Sequence, residues 1–276
     1  MRIEQTGRSA LPQSRQGRAE RGIAMPEKPG LILSRRDCDG AFFDMDGVLT
    51  DSARLHAAAW KRLFDDVLRR RAAATGAVFV PFGKADYLAY VDGRPREDGV
   101  RQFLASRGIH LPEGTADDPV EADTVAALAR RKNHLFALEL QAGVEPAPGA
   151  VALLQALRRL GIRTAVVSSS RNCAAVLEAA GLAGFLDTRV DGLDAAALSL
   201  PGKPAPDLFL EAARRLGVAP GRAVLFEDAL AGVEAGRRGG FGRVVGVDRG
   251  GQAAALLRHG ADIVIRDLTE VGVAPG

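Results

Sequence analysis

The sequence predicts an α/β protein: a Rossmann-like parallel sheet with helices on both faces, plus a small, mainly helical cap inserted after the first strand of the sheet. Three observations carry this. From about residue 146 onward, short apolar runs alternate regularly with amphipathic segments. Those runs are continuously apolar, as strands buried on both faces are. A similar run lies far upstream at 39–43, separated from the regular part by an irregular, helix-rich stretch.

The first run, Gly40-Ala41-Phe42-Phe43, ends in acids and a glycine, which reads as a buried strand feeding a functional loop. Residues 52–70 read as a helix, with Ala53, Leu55, Ala58, Ala59, Leu63 and Val67 close to one face. From 72 to 98 the pattern breaks: Pro81 interrupts it, and Asp92-Gly93-Arg94-Pro95 is a turn cluster. Residues 100–106 are helical again, 110–120 form a loop, and 123–142 form a long helix with Asp123 at its N-cap. Pro146-Ala147-Pro148-Gly149 marks a boundary. Beyond it come helix 151–160, strand 163–167, helix 172–180, weak strand 189–190, helix 206–216 and strand 223–226. Helix 230–238, strand 244–247, helix 253–258 and strand 262–264 complete the series. Right-handed βαβ units account for this alternation. The expected organisation is a disordered basic leader over 1–36, a core made of 37–52 and 146–276, and a helical cap over 53–145.

The net charge of +3 conceals an asymmetry. Residues 1–36 carry eight basic and three acidic residues, a net of +5, so the remainder is −2. The high isoelectric point belongs to the leader, which reads as a solvated tail more than a nucleic-acid or membrane tether. The leader has no apolar stretch of the secretory kind, and Met25 is an alternative start. No run approaches the roughly 18 apolar residues of a membrane span. Cys38 and Cys173 show neither metal-ligand spacing nor a CxxC pattern, so free thiols in a reducing, cytoplasmic setting are expected. A monomer without nucleic-acid or membrane partners is expected.

Chemistry is sought where parallel strands end, because open α/β sheets bind ligands there. Four such places carry suitable groups. Asp44 follows the first strand and can attack phosphorus to form an acyl phosphate. Asp46, two residues on, can give and take the proton of a sugar or water oxygen, and Gly47 lets the chain turn sharply. Alone, Asp-x-Asp-Gly is as well explained by a turn or cap, and Val48-Leu49-Thr50 lacks the further ligands of a calcium loop. Ser168 opens Ser168-Ser169-Ser170, whose hydroxyls can donate to phosphate or simply cap a helix. Lys203, one of five lysines, sits between prolines and can balance charge between Asp44 and a phosphate. Glu227 and Asp228, with Asp44 and the carbonyl of Asp46, form a set suited to Mg2+, or alternatively an acid pair at a helix N-terminus. Their order at four strand ends outweighs the separate readings.

In that order the motifs resemble the haloacid dehalogenase superfamily, in its phosphatase and phosphomutase branch. Phe43 to Ser52 resembles the first motif, Ser168 the second, Lys203 the third and Glu227-Asp228 the fourth. The likeness covers roughly residues 40–250, and the second aspartate separates the chain from the dehalogenases themselves. Within the superfamily the likeness is to the β-phosphoglucomutases. His56 and Trp60 follow the first motif at their spacing. Arg96-Glu97-Asp98 resembles the cap segment whose arginine grips the distal phosphate, and Arg131-Lys132-Asn133 the segment whose lysine reaches the active site. Ser170, Arg171 and Asn172 resemble the phosphate-binding loop. Ser52 stands where those enzymes have threonine and Arg171 where they have lysine, and extra residues around 78–90 bear on the sugar pocket.

The resemblance implies a Mg2+-dependent phosphomutase interconverting β-D-glucose 1-phosphate and glucose 6-phosphate through an aspartyl phosphate and glucose 1,6-bisphosphate. It assigns catalysis to Asp44, Asp46, His56, Ser168 and Lys203. Substrate contacts fall to Ser52, Trp60, Arg96, Lys132, Ser170, Arg171 and Asn172, and metal ligation to Asp44, Asp46, Glu227 and Asp228. The competing reading is a sugar-phosphate or phosphoglycolate-type phosphatase of the same fold. A non-catalytic sugar-phosphate sensor is a third, at odds with so complete a set of reactive groups.

Overall fold

The computed structural model describes residues 30–275. Most of the expected leader, with Met25, lies outside the described residues. Its last part does not fit a solvated tail: Leu31–Leu33 is a strand (β1), with Leu31 and Leu33 buried and Ile32 turned outward. A three-residue strand whose partner lies at the other end of the chain leaves no local signal to read.

The elements follow in chain order. After β1 come β2 (Gly40–Phe43), then four helices, α1 (Ser52–Thr75), α2 (Lys84–Tyr90), α3 (Arg96–Ser106) and α4 (Val125–Leu140). The alternating part comprises α5 (Ala150–Arg159), β3 (Arg163–Val167), α6 (Cys173–Ala179), β4 (Thr188–Val190), α7 (Gly192–Leu198), α8 (Asp207–Leu216), β5 (Ala223–Glu227) and α9 (Leu230–Arg238). It ends with β6 (Arg243–Val247), α10 (Ala253–Arg258), β7 (Ile263–Ile265) and β8 (Val271–Val273).

Six strands form one parallel sheet in the order β4-β3-β2-β5-β6-β7, and β1 pairs with β8 in a separate two-stranded ribbon. Helices cover both faces, as the continuous apolar strands require. The side-chain alternation of each strand divides the interior in two. Ala41, Phe43, Val166, Val224, Phe226 and Val245 point to one side, where α5, α6 and the β1–β8 ribbon close the layer. Phe42, Ala165, Val167, Leu225 and Val244 point to the other, against α8, α9 and α10. Phe43 and Phe226, paired in register on β2 and β5, stack with ring centroids 4.9 Å apart.

Helices α1–α4 build a third core of their own. Phe64 sits at its centre, with Trp60, Phe82 and Phe103 rings 5.0, 5.1 and 4.2 Å away. Helix α4 begins one residue later than the sequence suggested: Thr124 is the N-cap, its Oγ1 accepting from Ala127 N–H at 3.1 Å. Helix α2 occupies the stretch where no regular pattern was visible, because it buries no residue fully and so shows no apolar stripe.

The strand order places the site. From β2 the chain moves through β3 to β4 on one side, then returns to lay β5 on the other side of β2. The crevice beyond the carboxyl ends of β2 and β5 is the switch point where ligands of such sheets bind.

Candidate active site

Asp44 directly follows β2, and its N–H extends the ladder by donating to Phe226 O at 2.9 Å. Its buried carboxylate receives Lys203 Nζ at 2.5 Å, and the same ammonium lies 2.5 Å from Glu227 Oε1. The other oxygen of Glu227 accepts from Ala229 N–H at 2.8 Å, so both are engaged. Gly232 on α9 makes room for this: a Cβ there would stand 1.7 Å from Glu227 Oε1. Burial pushes the Asp44 carboxyl well above the ordinary range; Lys203 pulls it down while Glu227 and Asp46 push it up. Burial acts against the charge of Lys203, but the two carboxylates prevail and raise its pKa, so it stays an ammonium.

Lys203 reaches this position from the loop between α7 and α8, which corrects the expectation that it follows a strand. The residue after β4 is Asp191, whose carboxylate accepts from Leu193 and Asp194 N–H at 2.8 and 3.3 Å and caps α7. Ser168, after β3, is buried; its Oγ accepts from Ser170 N–H at 3.1 Å and its own proton is left to donate.

Asp46 takes a different set of partners. Ser52 Oγ donates to Oδ1 at 2.5 Å, and His56 Nε2 lies 3.3 Å from the same oxygen, close enough for charge though off the hydrogen-bond line. His56 Nδ1 is 2.5 Å from Lys132 Nζ, and its ring stacks on Phe136 with centroids 4.0 Å apart. Lys132 is buried, 4.8 and 5.1 Å from the ring centroids of Phe136 and Trp60. Burial pushes the Asp46 carboxyl up, yet His56, Ser52 and Lys132 together outweigh it and hold the group at about 2. Burial and then the Lys132 charge lower His56, while burial and then Arg96 lower Lys132 strongly.

One cavity gathers most of these groups. Asp44, Asp46, His56, Trp60, Arg96, Lys132, Ser168, Ser170, Lys203, Glu227 and Asp228 line it, together with Tyr87, Asp92 and Arg94. Its volume is about 70 Å3, well above the roughly 10–15 Å3 needed to hold one water. Three sequence-derived substrate contacts lie elsewhere. Ser52 is fully buried and spends its hydroxyl on Asp46. Arg171 lines a neighbouring cavity with Arg96 and Ser169. Asn172 donates from Nδ2 to Asn133 Oδ1 at 2.7 Å, tying the start of α6 to α4.

The carboxylates of Asp44, Glu227 and Asp228 place oxygens within 4.8 Å of one another. Hard, anionic oxygen donors in excess of the cations beside them suit a small divalent ion. Each carboxylate has a partner already: Lys203 bridges Asp44 and Glu227, Ala229 N–H donates to Glu227, and Arg249 pairs with Asp228. The Arg249 guanidinium contacts Asp228 and lies over Gly47, whose φ of 86° and missing Cβ allow the approach. Arg249 is a residue the sequence reading missed. It stands two residues beyond β6, where the strand-end rule applied to the other strands points. Asp248, beside it, is absorbed by its own loop, accepting from four backbone N–H groups at 2.7–3.1 Å.

The haloacid dehalogenase-like hydrolase model matches residues 38–240. The chain belongs to the haloacid dehalogenase-like hydrolase family. It is therefore an enzyme of the phosphotransferase and phosphatase kind. It is 50% identical over 256 residues to a β-phosphoglucomutase of Mycobacterium bovis, covering 91% of this chain and 94% of that one. It is 31% identical to hexitol phosphatase A of Escherichia coli, covering 86% and 94%. Among solved structures, a β-phosphoglucomutase from Clostridium difficile shares the fold, with a TM-score of 0.66, 24% identity and coverage of 84% and 92%.

Tyr87, Asp92 and Arg94 also escaped the sequence reading. Asp92 and Arg94 were absorbed into a turn cluster, and Tyr87 lies on the unpatterned α2. The available signal was position, two to nine residues ahead of Arg96.

Proposed function

We propose that this family member is a phosphomutase interconverting β-D-glucose 1-phosphate and glucose 6-phosphate through a phosphorylated Asp44 and a glucose 1,6-bisphosphate. The supporting observation is the line from Asp46 through His56 to Lys132, which joins the residue next to the nucleophile to helices α1 and α4. In this reading residues 53–145 are a cap that closes on a core of 37–52 and 146–276. The proton-handling residue is then aligned only when the cap is down over substrate. The mycobacterial relative supports the choice of sugar.

The chemistry starts with phosphate carried on Asp44. Asp46, held as a carboxylate, takes the proton of the sugar hydroxyl as that oxygen bonds to phosphorus and the bond from phosphorus to Asp44 breaks. The bisphosphate turns over. Asp44 then attacks its other phosphorus, and Asp46 returns the proton to the departing sugar oxygen. Asp44 and Asp228, with the Asp46 carbonyl, would hold Mg2+, which when bound supplies charge to screen the phosphoryl oxygens. Lys203 and Ser168 face the same oxygens. Arg96 lines the cavity and forms no ion pair among the described residues, which leaves it free to grip the phosphate that is not reacting. Ser170 lies near enough to assist. Two buried free cysteines accord with a cytoplasmic site of action.

A phosphatase of the same fold is the second reading, favoured by the hexitol phosphatase relative. Incubation with β-glucose 1-phosphate, Mg2+ and a trace of glucose 1,6-bisphosphate, followed by phosphorus NMR, separates the two. Glucose 6-phosphate without inorganic phosphate is the expected product. Inorganic phosphate without glucose 6-phosphate rejects the mutase.

A further inference from the structure

The cavity contains one carboxylate that phosphoryl transfer, cation binding and the pairing with Lys203 all leave unused. Asp92 follows α2, its N–H donating to Tyr87 O at 3.0 Å, and its side chain lines the cavity beside the catalytic groups. It lies outside the carboxylate cluster of Asp44, Glu227 and Asp228. Tyr87 lines the same cavity, its hydroxyl near enough to favour the charged form of the Asp92 carboxylate, and Asp92 forms no salt bridge among the described residues, although Arg249 is near enough to act through charge. Most of the acceptor capacity of this carboxylate is left unused.

The choice of ligand follows from charge. A phosphate is repelled by a carboxylate and is served in this cavity by Lys203, Ser168 and Arg96. What an additional anionic acceptor binds well is a neutral donor, and on a sugar phosphate the neutral donors are ring hydroxyls. The position agrees: Asp92 lines the same cavity as Asp46, Glu227 and Arg96, the groups assigned to the two phosphates, and lies four residues before Arg96.

We propose that Asp92, with Tyr87 beside it in the cavity lining, reads a ring hydroxyl of the sugar phosphate and so sets which sugar this enzyme accepts. The inference rests on the sugar-phosphate reading above. Asp92 is a specificity-determining residue, and Tyr87 a positioning residue that acts through it.

The test compares kcat/KM for the wild type, Asp92→Ala, Asp92→Asn and Tyr87→Phe on β-glucose 1-phosphate and on its 2-deoxy, 3-deoxy and 4-deoxy analogues. Isomerisation and phosphate release are both recorded. A hydrogen bond to a charged group corresponds to about a 10- to 150-fold effect. Asp92→Ala is expected to lose about that factor on the parent sugar, and less than about threefold on the one analogue lacking the hydroxyl it reads. Tyr87→Phe shows the same pattern at smaller amplitude. Asp92→Asn keeps the shape, so it carries the comparison if the alanine variant fails to fold. A loss equal on all four substrates, or no loss on any, overturns the proposal. Failure of the mutase reading shows differently: a wild type that only releases phosphate refutes that reading, while phosphate release across the same panel still decides the role of Asp92.

Discussion

In the proposed reaction Asp46 acts as a base in one half and an acid in the other, and its surroundings set the form in which it starts. With the group held at about 2, it is a carboxylate at neutral pH and the base half comes first. Asp46→Asn removes the proton carrier but keeps the shape, so kcat for isomerisation should fall by roughly 10^2–10^4. Labelling of Asp44 by acetyl phosphate should survive, since acetate leaves without needing a proton; loss of the label with the activity would place the fault in folding. Asp92 shows the opposite shift. Burial pushes it up, against Arg249 and the Tyr87 hydroxyl and aided by Glu227 and Asp46, to about 6. Below about pH 4 it is protonated in the folded and unfolded chain alike. Between about 4 and 6 only the unfolded chain ionises, so folding loses stability as pH rises, and above about 6 the loss is complete. Its size is about 3 kcal/mol. Asp92→Asn should therefore match the wild type at pH 4 and exceed it by about that amount at pH 8 in denaturant titrations. Equal stabilities at both pH values would contradict this. A carboxylate retained at such a cost fits a residue kept for its ligand.

At the scale of elements, what was legible depended on burial. β2, β3 and β5 showed in the sequence because every position, or every position but the first, is buried. The residues at their carboxyl ends, Asp44, Ser168 and Glu227-Asp228, could be named without coordinates. Lys203 was found through its proline setting, but its place in the fold was misread, because Asp191 holds the strand end. α2 and the β1–β8 ribbon were illegible, the first for want of a buried stripe, the second because its pairing spans the chain. The helices α1–α4 raise a separate question, since their core is aromatic and largely their own. Phe64 is fully buried in it. Phe64→Ala should cost about 3–5 kcal/mol. If α1–α4 are a cap folding on their own core, amide exchange there should accelerate far more than in β2, β3 and β5. Equal acceleration throughout would mean that helices and sheet unfold as one.

At the scale of the whole molecule, helices and sheet meet around the cavity through few polar contacts. Ser169 Oγ donates to Gly93 O at 3.3 Å, Asn172 bonds Asn133, and His56 faces Asp46. No helix among the described residues is long and apolar enough to cross a membrane. Fold class was readable because alternation repeats many times along the chain, whereas these bridges are single contacts between distant residues. Asn172 resembles a phosphate ligand in sequence, and in the structure its amide also donates to Asn133 Oδ1. That gives it a different consequence. If closure is what keeps water from a phosphorylated Asp44, the bond between α6 and α4 favours the closed form and thereby isomerisation over hydrolysis. Asn133→Ala removes the bond without touching any group that handles phosphate. A neutral hydrogen bond contributes about 0.5–1.5 kcal/mol, so the ratio of phosphate released to glucose 6-phosphate formed should rise by about two- to tenfold. Phosphorus NMR of one reaction mixture reads both products. An unchanged ratio with a lowered rate would mean that this contact only places α4, and that water is excluded by other means.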